Sequence, residues 1–298
     1  SLRYTFSNHG VALFMEFQQI GISHPAVKDV LAIQNNTAPN RFGLFVAEGL
    51  WAARVVLDTG LRVDTFYWCP ELVHSDEAKM RAGALAERAR RAFQVSERTM
   101  VRMAERANPD GIMATVEMPK WHPDEIELGN SALVLVTDGV EIPGNLGTLI
   151  RTLDACKADL LMMTNRRTRM SHPKVLRGSQ GMSVRVPHVE FEDTNEAIAW
   201  LQKRLFTVYL ADTDESVNYC RLDYTGRTAL VVGSERYGIT QRWYEHGFLR
   251  VGVPMLGYAD SLNVSVSASV LLYEARAHMD GWGEPQPAGD PRTHTGDR

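Results

Sequence analysis

Residues 251–275 read VGVPMLGYADSLNVSVSASVLLYEA, a stretch that predicts a strand, a turn and a long helix. The apolar residues 251–253 form the strand, a Pro-Met-Leu-Gly turn follows, and the helix begins within 260–263. Asp260 or Ser261 suits the N-cap, which leaves Asn263 inside the first turn, where its helix preference is poor. Contact with a ligand is the alternative, because helix N-termini favour anionic or polar groups. Helical spacing also predicts a buried apolar stripe: Leu262, Val266, Val270 and Tyr273.

A second strand-to-helix segment, DGVEIPGNLGTLIRTLDACKAD, occupies residues 138–159. The continuous apolar run 132–136 before it is typical of a strand buried on both faces of a parallel sheet. We expect Pro143, Gly144 and Gly147 to form a tight elbow with Asn145 as the helix N-cap. Arg151 follows within two helical turns, so it either stays near the same sheet edge or is a solvated surface arginine. The segment lacks the dinucleotide fingerprint and the Walker Lys-Ser/Thr, which argues against a nucleotide-binding oxidoreductase.

A third segment, TALVVGSERYGIT at 228–240, repeats this pattern. An apolar strand at 229–232 ends in Gly233-Ser234-Glu235, and another helix is expected after it. A carboxylate just past the end of a parallel strand lies where open α/β sheets bind ligands. A capping role for Glu235 is the open alternative.

Together the three segments resemble, in order and spacing, the motifs of the SpoU/TrmH family of RNA ribose 2′-O-methyltransferases in the SPOUT class. The likeness covers about residues 131–278. Motif one corresponds to Asn145 with Arg151, motif two to residues 233–235 with Gly238, and motif three to 254–256 with 261–265. The resemblance implies an α/β fold: a C-terminal parallel-sheet domain with a trefoil knot, preceded by a smaller α/β domain like those of ribosomal RNA-binding proteins.

The resemblance also implies a cofactor and roles for individual residues. The cofactor is S-adenosyl-L-methionine, no metal is needed, and Arg151 is the residue assigned to activate the ribose hydroxyl. A guanidinium has a pKa above about 12 and hardly loses its proton, so we expect Arg151 to orient the ribose with a substrate phosphate and to stabilise the developing alkoxide. The other predicted catalytic residues are Asn145 and Ser261, which hold ribose or phosphate, Asn263, which supports the cofactor and Arg151, and Glu235, which fixes the motif-two loop or pairs with an arginine. The predicted cofactor contacts are Gly233, Val253, Met255, Leu256 and Leu262.

The formal net charge of −4 is unusual for a protein that binds RNA, but its distribution is uneven. Residues 160–189 contain no acidic side chain. We therefore expect the cations of this segment to bind phosphate without a counter-charge, the alternative being a solvated loop that balances the acidic residues 190–196. The predicted RNA contacts are Arg166, Arg167, Arg169, Lys174 and Arg177, with Lys28 and Arg41 from the N-terminal part.

The N-terminal residues 11–115 alternate strand and helix patterns, which predicts a separate three-layer domain. Its motifs resemble the substrate-binding domain that precedes many SpoU catalytic domains. Residues 116–130 contain prolines and mixed charge and are the predicted linker to the catalytic domain, 131–280. The Gly/Pro-rich tail, 281–298, is predicted to be disordered.

The remaining predictions concern location, assembly and substrate. Cys69, Cys156 and Cys220 show neither the spacing of a zinc site nor that of a disulfide framework. No signal peptide opens the chain, and no apolar run approaches the roughly 20 residues that cross a bilayer. We therefore expect a cytoplasmic protein. SpoU relatives are homodimers, which implies a homodimer here. The two-domain layout favours ribosomal RNA, above all 23S rRNA, including a role in antibiotic self-resistance of the thiostrepton or avilamycin type. A tRNA ribose methyltransferase and a non-catalytic RNA-binding ribosome-assembly protein are the alternatives.

Overall fold

The computed structural model describes residues 2–8, 11–35 and 43–282. These residues form two compact units. The first unit comprises the described residues up to 126 together with 140–154 and 166–189, and the second comprises 127–139, 155–165 and 190–282. Arg41 and residues 283–298 of the predicted tail lie outside the described residues.

The strands and helices follow one another in regular alternation through most of the described chain. The strands are β1 (Leu2–Asn8), β2 (Val11–Ile20), β3 (Leu44–Glu48), β4 (Val63–Trp68), β5 (Arg91–Val95), β6 (Ile112–Glu117), β7 (Ala132–Asp138), β8 (Leu160–Thr164), β9 (His188–Phe191), β10 (Thr207–Ala211), β11 (Val217–Asn218), β12 (Arg227–Gly233) and β13 (Leu249–Gly252). The helices are α1 (Pro25–Gln34), α2 (Gly49–Thr59), α3 (Asp76–Arg88), α4 (Glu97–Met103), α5 (Pro143–Ala155), α6 (Pro173–Gly178), α7 (Thr194–Lys203), α8 (Gln241–Tyr244) and α9 (Val264–Asp280).

The first unit contains a mixed sheet in the order β1-β2-β5-β4-β6-β3. Strands β2, β5 and β4 pair in parallel, whereas β1 pairs antiparallel with β2, and β6 pairs antiparallel with both β4 and β3. Successive side chains of a strand point to opposite faces, and β4 shows this directly. Phe66 and Trp68 enter one apolar core with α2 and α3, while Tyr67 enters a second core with α1 and α4. Both faces of this sheet are therefore covered by helices.

The helices of the first unit begin where the sequence supplies caps. Ser75 accepts a hydrogen bond from the backbone N–H of Ala78 at the start of α3, and Ser96 accepts one from Thr99 at the start of α4. Asp76 and Glu77 lie in the first turn of α3, where they complement the positive end of the helix dipole. The buried Tyr67 hydroxyl donates to the carbonyl oxygen of Ala26 at 2.7 Å, joining β4 to α1.

The second unit is built on a sheet in the order β11-β13-β10-β12-β7-β8-β9. The strand pairs β11/β13, β13/β10, β10/β12, β12/β7 and β7/β8 are all parallel. Strand β7 is buried along its whole length, as its continuous apolar sequence predicts. Helix α9 packs on β7 and β12 through Ala268, Leu271, Leu272 and Ala275. The carboxyl ends of these parallel strands lie at one edge of the sheet, which is the usual place for a ligand site.

The predicted fold class is confirmed: a parallel-sheet α/β domain follows an N-terminal α/β domain. Three local features differ from the sequence predictions. The hairpin β1–β2 was not predicted, β6 continues to Glu117 beyond the expected domain end, and the helix after motif two is the four-residue α8. No strand was predicted at β6, which crosses the expected domain end at residue 115.

Candidate active site

Motif one lies on helix α5 of the first unit, and the helix begins earlier than the sequence predicts. Pro143 is its first residue, because proline fixes a helical φ and lacks only an N–H that would be unpaired there. The backbone N–H of Leu146 already donates to the carbonyl of Ile142 at 3.1 Å. Asn145 is therefore the third helical residue, and the prediction that it is the N-cap is wrong. Arg151 lies further along α5, is exposed, and forms no ion pair with any described residue.

Gly144 and Gly147 of motif one lie inside α5 rather than in an elbow before it, and Gly147 serves the packing of that helix, whereas a Cβ on Gly144 would meet open space. A Cβ on Gly147 would lie 2.9 Å from the Cα of Gly178 and 3.0 Å from the backbone nitrogen of Ser179. The backbone of α5 thus contacts the end of α6, and the predicted elbow role of Gly147 is wrong. Thr168 also donates to the carbonyl oxygen of Glu141 at 2.7 Å. These contacts attach residues 166–185, the basic segment, to the helix that carries Asn145 and Arg151.

Motif two forms a closed turn after β12 in the second unit. Ser234 and Gly238 exchange backbone hydrogen bonds of 3.1 and 2.9 Å, and Gly238 has a positive φ of 69°. The Ser234 hydroxyl oxygen accepts from the backbone N–H groups of Arg236 and Tyr237 at 3.2 and 3.0 Å. A Cβ on Gly233 would overlap the backbone of Gly238, so this glycine is required by the chain's own close approach. Glu235 is exposed in this turn.

A buried carboxylate that the sequence did not single out holds this turn against the sheet. Asp138 ends β7 and is 1% exposed. Its Oδ1 accepts hydrogen bonds from the Thr164 hydroxyl at 2.9 Å and from Asn165 Nδ2 at 2.6 Å. Its Oδ2 accepts from the backbone N–H of Thr240 at 2.7 Å. The only sequence signal for it is a charged residue at the end of an otherwise apolar strand.

Motif three leads from β13 to helix α9, and Asn263 is the N-cap of that helix. Its Oδ1 accepts from the backbone N–H of Ser265 at 2.9 Å and from the Ser265 hydroxyl at 2.6 Å. The prediction that Asp260 or Ser261 is the N-cap is therefore wrong, because the chain at 261–263 is not yet helical. Ser261 is exposed two residues before the helix.

The predicted buried stripe of α9 is also wrong. Leu262, Val266 and Tyr273 are 38%, 49% and 43% exposed, respectively, and the buried face is instead made by smaller residues and leucines: Ser265, Ala268, Leu271, Leu272 and Ala275. Both faces of α9 carry apolar residues, so helical spacing alone could not decide which one packs on the sheet.

A cavity of about 520 Å³ opens beside motif three in the second unit. One part of its wall is formed by polar residues that follow β10: Thr213, Asp214, Ser216 and Asn218. The other part is formed by the end of β13 and the chain after it: Gly252, Val253, Pro254, Met255 and Asp260. Val253 and Met255 of the predicted cofactor contacts line this cavity. Leu256 is 96% exposed. The predictions missed the residues after β10, whose signal was a cluster of polar side chains following the strand at 207–211.

The wall of this cavity is closely packed. A Cβ on Gly252 would overlap the Ser216 hydroxyl oxygen and lie 2.9 Å from the carbonyl oxygen of Asp212. The Tyr244 hydroxyl donates to the Asp212 carboxylate at 2.6 Å, and the guanidinium of Arg250 lies 4.8 Å from the centre of the Tyr244 ring. Burial, followed by the hydrogen bond to Asp212, raises the pKa of Tyr244, so the phenol keeps its proton and remains a donor at neutral pH.

The cavity fits a nucleoside-like cofactor. Its volume falls within the roughly 300–1,000 Å³ of small-molecule sites. Hydroxyl, amide and carboxylate groups in the wall can pair with ribose hydroxyls and with the edge of a base. Among the described residues no group of His, Cys, Asp or Glu is arranged to hold a metal ion.

The basic segment is less free of counter-charges than the sequence suggested. Arg177 forms an ion pair with Glu105, and Arg185 lies 4.0 Å from Asp58. Both carboxylates come from distant parts of the chain, so the expectation that the cations of residues 160–189 face no counter-charge is wrong for Arg177 and Arg185. Arg167 and Lys174 are exposed. Lys28 is exposed on α1, and its predicted RNA contact remains a prediction.

Comparison with known proteins agrees with the motif pattern and the fold. The model of the SpoU rRNA Methylase family matches residues 132–273, and the model of the MRM3-like substrate binding domain matches residues 24–114. The chain is 32% identical over 184 residues to the 23S rRNA (guanosine(2553)-2′-O)-methyltransferase RlmP of Bacillus subtilis, covering 62% of this chain and 72% of that relative. The chain belongs to the SpoU rRNA methylase family.

Solved structures of other methyltransferases show the same architecture over most of this chain. The S-adenosylmethionine-bound rRNA methyltransferase from Sinorhizobium meliloti superposes with a TM-score of 0.78 at 25% identity, covering 88% of this chain and 98% of the other. The SpoU methyltransferase AviRb from Streptomyces viridochromogenes, in complex with the same cofactor, superposes with a TM-score of 0.74 at 26% identity, covering 85% and 97%. The chain is therefore a SPOUT-class methyltransferase, a class whose methyl donor is S-adenosylmethionine.

No helix among the described residues is long and apolar enough to span a membrane. The three cysteines form no disulfide: Cys69 and Cys156 are buried, and Cys220 is exposed.

Proposed function

We propose that this enzyme transfers a methyl group from S-adenosylmethionine to a ribose 2′-hydroxyl of ribosomal RNA, and that the RNA is 23S rRNA. The observation that carries the proposal is the nucleoside-sized cavity beside motif three, in a chain that retains each polar residue of the family motifs. The likeness to RlmP, named as a 23S rRNA 2′-O-methyltransferase, supports the choice of RNA.

The cavity residues would hold the cofactor. Asp214 and Asp260 can accept hydrogen bonds from ribose hydroxyls, and Val253 and Met255 offer apolar surface to a base. We also keep Gly233, Leu256 and Leu262 as proposed cofactor contacts. When bound, S-adenosylmethionine supplies an electrophilic methyl group on its sulfonium. The hydrogen bond from Tyr244 to Asp212 and the bonds of Asp138 hold the surrounding loops in place before the cofactor binds.

The proposed catalytic group is Arg151, with Asn145, Ser261, Glu235 and Asn263 in support. An exposed guanidinium without an ion-pair partner among the described residues is available to a phosphate and a ribose oxygen. We propose that Arg151 orients the ribose and stabilises negative charge on its 2′-oxygen, while Asn145 and Ser261 contact ribose or phosphate. Asn263 uses its Oδ1 to cap α9, so its contribution to cofactor and substrate is the ordering of the motif-three chain.

The basic segment is the proposed RNA contact of the first unit. Because Gly147 and Gly178 bring α5 and α6 into backbone contact, the exposed Arg167 and Lys174 belong to the same packed substructure as the helix of Arg151. Phosphates bound there would present the adjoining ribose to motif one. Arg166, Arg169, Arg177, Lys28 and Arg41 complete the proposed set of RNA contacts.

We further propose a cytoplasmic homodimer with a trefoil knot in residues 131–280, an RNA-binding domain predicted at 11–115 whose last strand extends it to Glu117, and a linker in the rest of 116–130. Residues 283–298 of the predicted tail lie outside the described residues. Val266 and Tyr273 of α9, together with Leu262 just before the helix, are exposed apolar residues that support the dimer, because a second copy would cover them. A role in self-resistance to an antibiotic that binds the large subunit is part of the proposal. Expression in a susceptible bacterium should then raise the inhibitory concentration of such a drug, and an unchanged concentration would remove that role.

The test is to incubate the pure protein with tritiated S-adenosylmethionine and, separately, with ribosomal RNA, ribosomal subunits and total tRNA. Counts in large-subunit RNA, free or assembled, support the proposal. Counts in tRNA alone would assign the enzyme to transfer RNA instead. Absence of transfer together with absence of cofactor binding would leave a non-catalytic RNA-binding protein.

A further inference from the structure

The first unit contains a second cavity, of about 440 Å³, that no motif of the family explains. It lies where the end of α1, the start of α2 and helix α6 meet. Trp51, Pro173 and Leu176 supply its apolar wall, and Gln34, Glu48 and Arg177 are its main polar members. A pocket of this size with an aromatic wall and few polar groups is typical of a small-molecule or single-residue ligand site.

The charged groups of this cavity are already paired. Arg177 is bound to Glu105, and Arg106 lies 3.4 Å from Asp110. The Glu48 carboxylate accepts the backbone N–H groups of Glu105 and Arg106 at 2.9 and 3.1 Å. Since both arginines that line the cavity among the described residues are paired, a phosphate is a poor ligand and a neutral group is favoured.

Two side chains remain suited to recognise a neutral planar group. Trp51 is 44% exposed although it belongs to a helix whose other face is buried, so its ring is available for stacking. The Gln34 amide nitrogen makes only long hydrogen bonds, 3.5 Å to Glu48 and 3.4 Å to the Met103 carbonyl oxygen. No described residue donates to the Gln34 carbonyl oxygen, so this amide can exchange hydrogen bonds with the edge of a heterocycle.

We propose that this cavity binds a single unpaired nucleobase of the RNA, stacked on Trp51 and contacted at its edge by Gln34. RNA is recognised largely through unstacked bases that lie against aromatic side chains, and helix α6 adds an exposed cation, Lys174, beside the same wall. The inference rests on the proposed action on RNA, but the base pocket is separate from the proposed methyl-transfer residues. It would tie recognition of a loop or bulge to the first unit.

The test measures RNA binding by fluorescence anisotropy without S-adenosylmethionine, so it does not depend on methyl transfer. The probes are a fluorescein-labelled mixed-sequence single-stranded RNA of about 12 nucleotides and its fully paired duplex. Trp51→Ala should weaken binding of the single strand roughly tenfold and leave duplex binding unchanged, whereas Trp51→Phe, which retains a ring, should change it less than about threefold. Trp282→Ala removes another tryptophan, 54% exposed on the second unit, and should have no effect.

A second variant, Gln34→Ala, tests recognition of the base edge. The wild-type protein should discriminate among short homopolymers of the four nucleotides, and Gln34→Ala should reduce that discrimination while melting at the wild-type temperature. Wild-type binding by Trp51→Ala, or an equal loss on single strand and duplex, would overturn the base pocket. If the wild-type protein transfers methyl groups and Trp51→Ala binds single-stranded RNA as tightly as the wild type, the base pocket alone is overturned. A Trp51-dependent preference for single strands without methyl transfer would instead overturn only the proposed function.

Discussion

The Asp138 carboxylate provides the sharpest test of how the sheet edge is ordered. In Asp138→Asn, either orientation of the new amide directs its NH2 group at an existing donor, Asn165 Nδ2 on one side or the Thr240 N–H on the other. The Thr164 hydroxyl can rotate to accept instead of donate, so one of the three bonds can adapt. At least one charge-assisted hydrogen bond is therefore lost in a site that is 1% exposed.

A hydrogen bond to a charged group contributes about 1.5–3 kcal/mol, so we expect Asp138→Asn to lower the free energy of unfolding by about 2–3 kcal/mol. At roughly 2–4 °C for each kcal/mol, the melting temperature should fall by about 4–12 °C. Because the Thr240 bond anchors the end of the motif-two turn, the affinity for S-adenosylmethionine should fall as well.

The assay combines thermal unfolding with calorimetric titration of S-adenosylmethionine. Asp159→Ala is the matched control: its carboxylate accepts the backbone N–H of Leu133 at 2.7 Å, at the opposite end of β7. This control should also destabilise the protein, by about 1–3 kcal/mol, without changing the cofactor affinity. An unchanged melting temperature in Asp138→Asn would refute the hydrogen-bond argument. Equal cofactor affinities in the two variants would refute the link between Asp138 and the site.

Three further predictions address motif one and the basic segment. Arg151→Ala should lower kcat by about 10²-fold or more, as loss of transition-state charge stabilisation does, while calorimetry shows wild-type cofactor binding; loss of both together would refute its assigned role. Gly147→Ala places a methyl group 2.9 Å from Gly178 Cα and should cost about 1–3 kcal/mol in thermal unfolding, so a wild-type melting temperature would argue against the helix contact. His172 caps α6, because its Nδ1 accepts the backbone N–H of Lys174, and burial, then the charge of Lys174, lowers the pKa of this imidazole below 6.5. The folded protein therefore favours the neutral ring. The resulting contribution to the free energy of unfolding is complete above about pH 6.5 and is lost as the pH falls through the lower folded pKa. His172→Asn, a cap that does not titrate, should flatten the melting temperature between about pH 5 and 7 relative to the wild type, and parallel profiles would contradict this.

Local sequence predicted the framework of the parallel-sheet domain well. The apolar run of β7 is sufficient to place a buried strand, because burial on both faces requires a continuous apolar sequence. The polar residues that follow β7 and β12 then place the ligand-binding edge of the sheet. Motif spacing then indicated the family and the cofactor.

The predictions failed where a distant partner decides the role of a residue. The sequence around Gly147 resembles an elbow, but in the fold this glycine packs against Gly178. Arg177 has no acidic neighbour in the sequence, but in the fold it forms an ion pair with Glu105. Helix α9 has two apolar faces, and only the sheet determines which is buried. Asn263 illustrates a local error: its helix preference was judged for the first turn, but the residue is the N-cap, a position that asparagine favours.

The most direct test of the central claim is the chemical position of the methyl group. Ribosomal RNA treated with the enzyme and S-adenosylmethionine would be hydrolysed with alkali and the products identified by mass spectrometry, since a 2′-O-methyl group blocks cleavage of the adjoining phosphodiester. The account predicts an alkali-resistant dinucleotide that carries one methyl group, derived from 23S rRNA and absent with Arg151→Ala. A methylated mononucleotide, with the methyl group on the base, would contradict it.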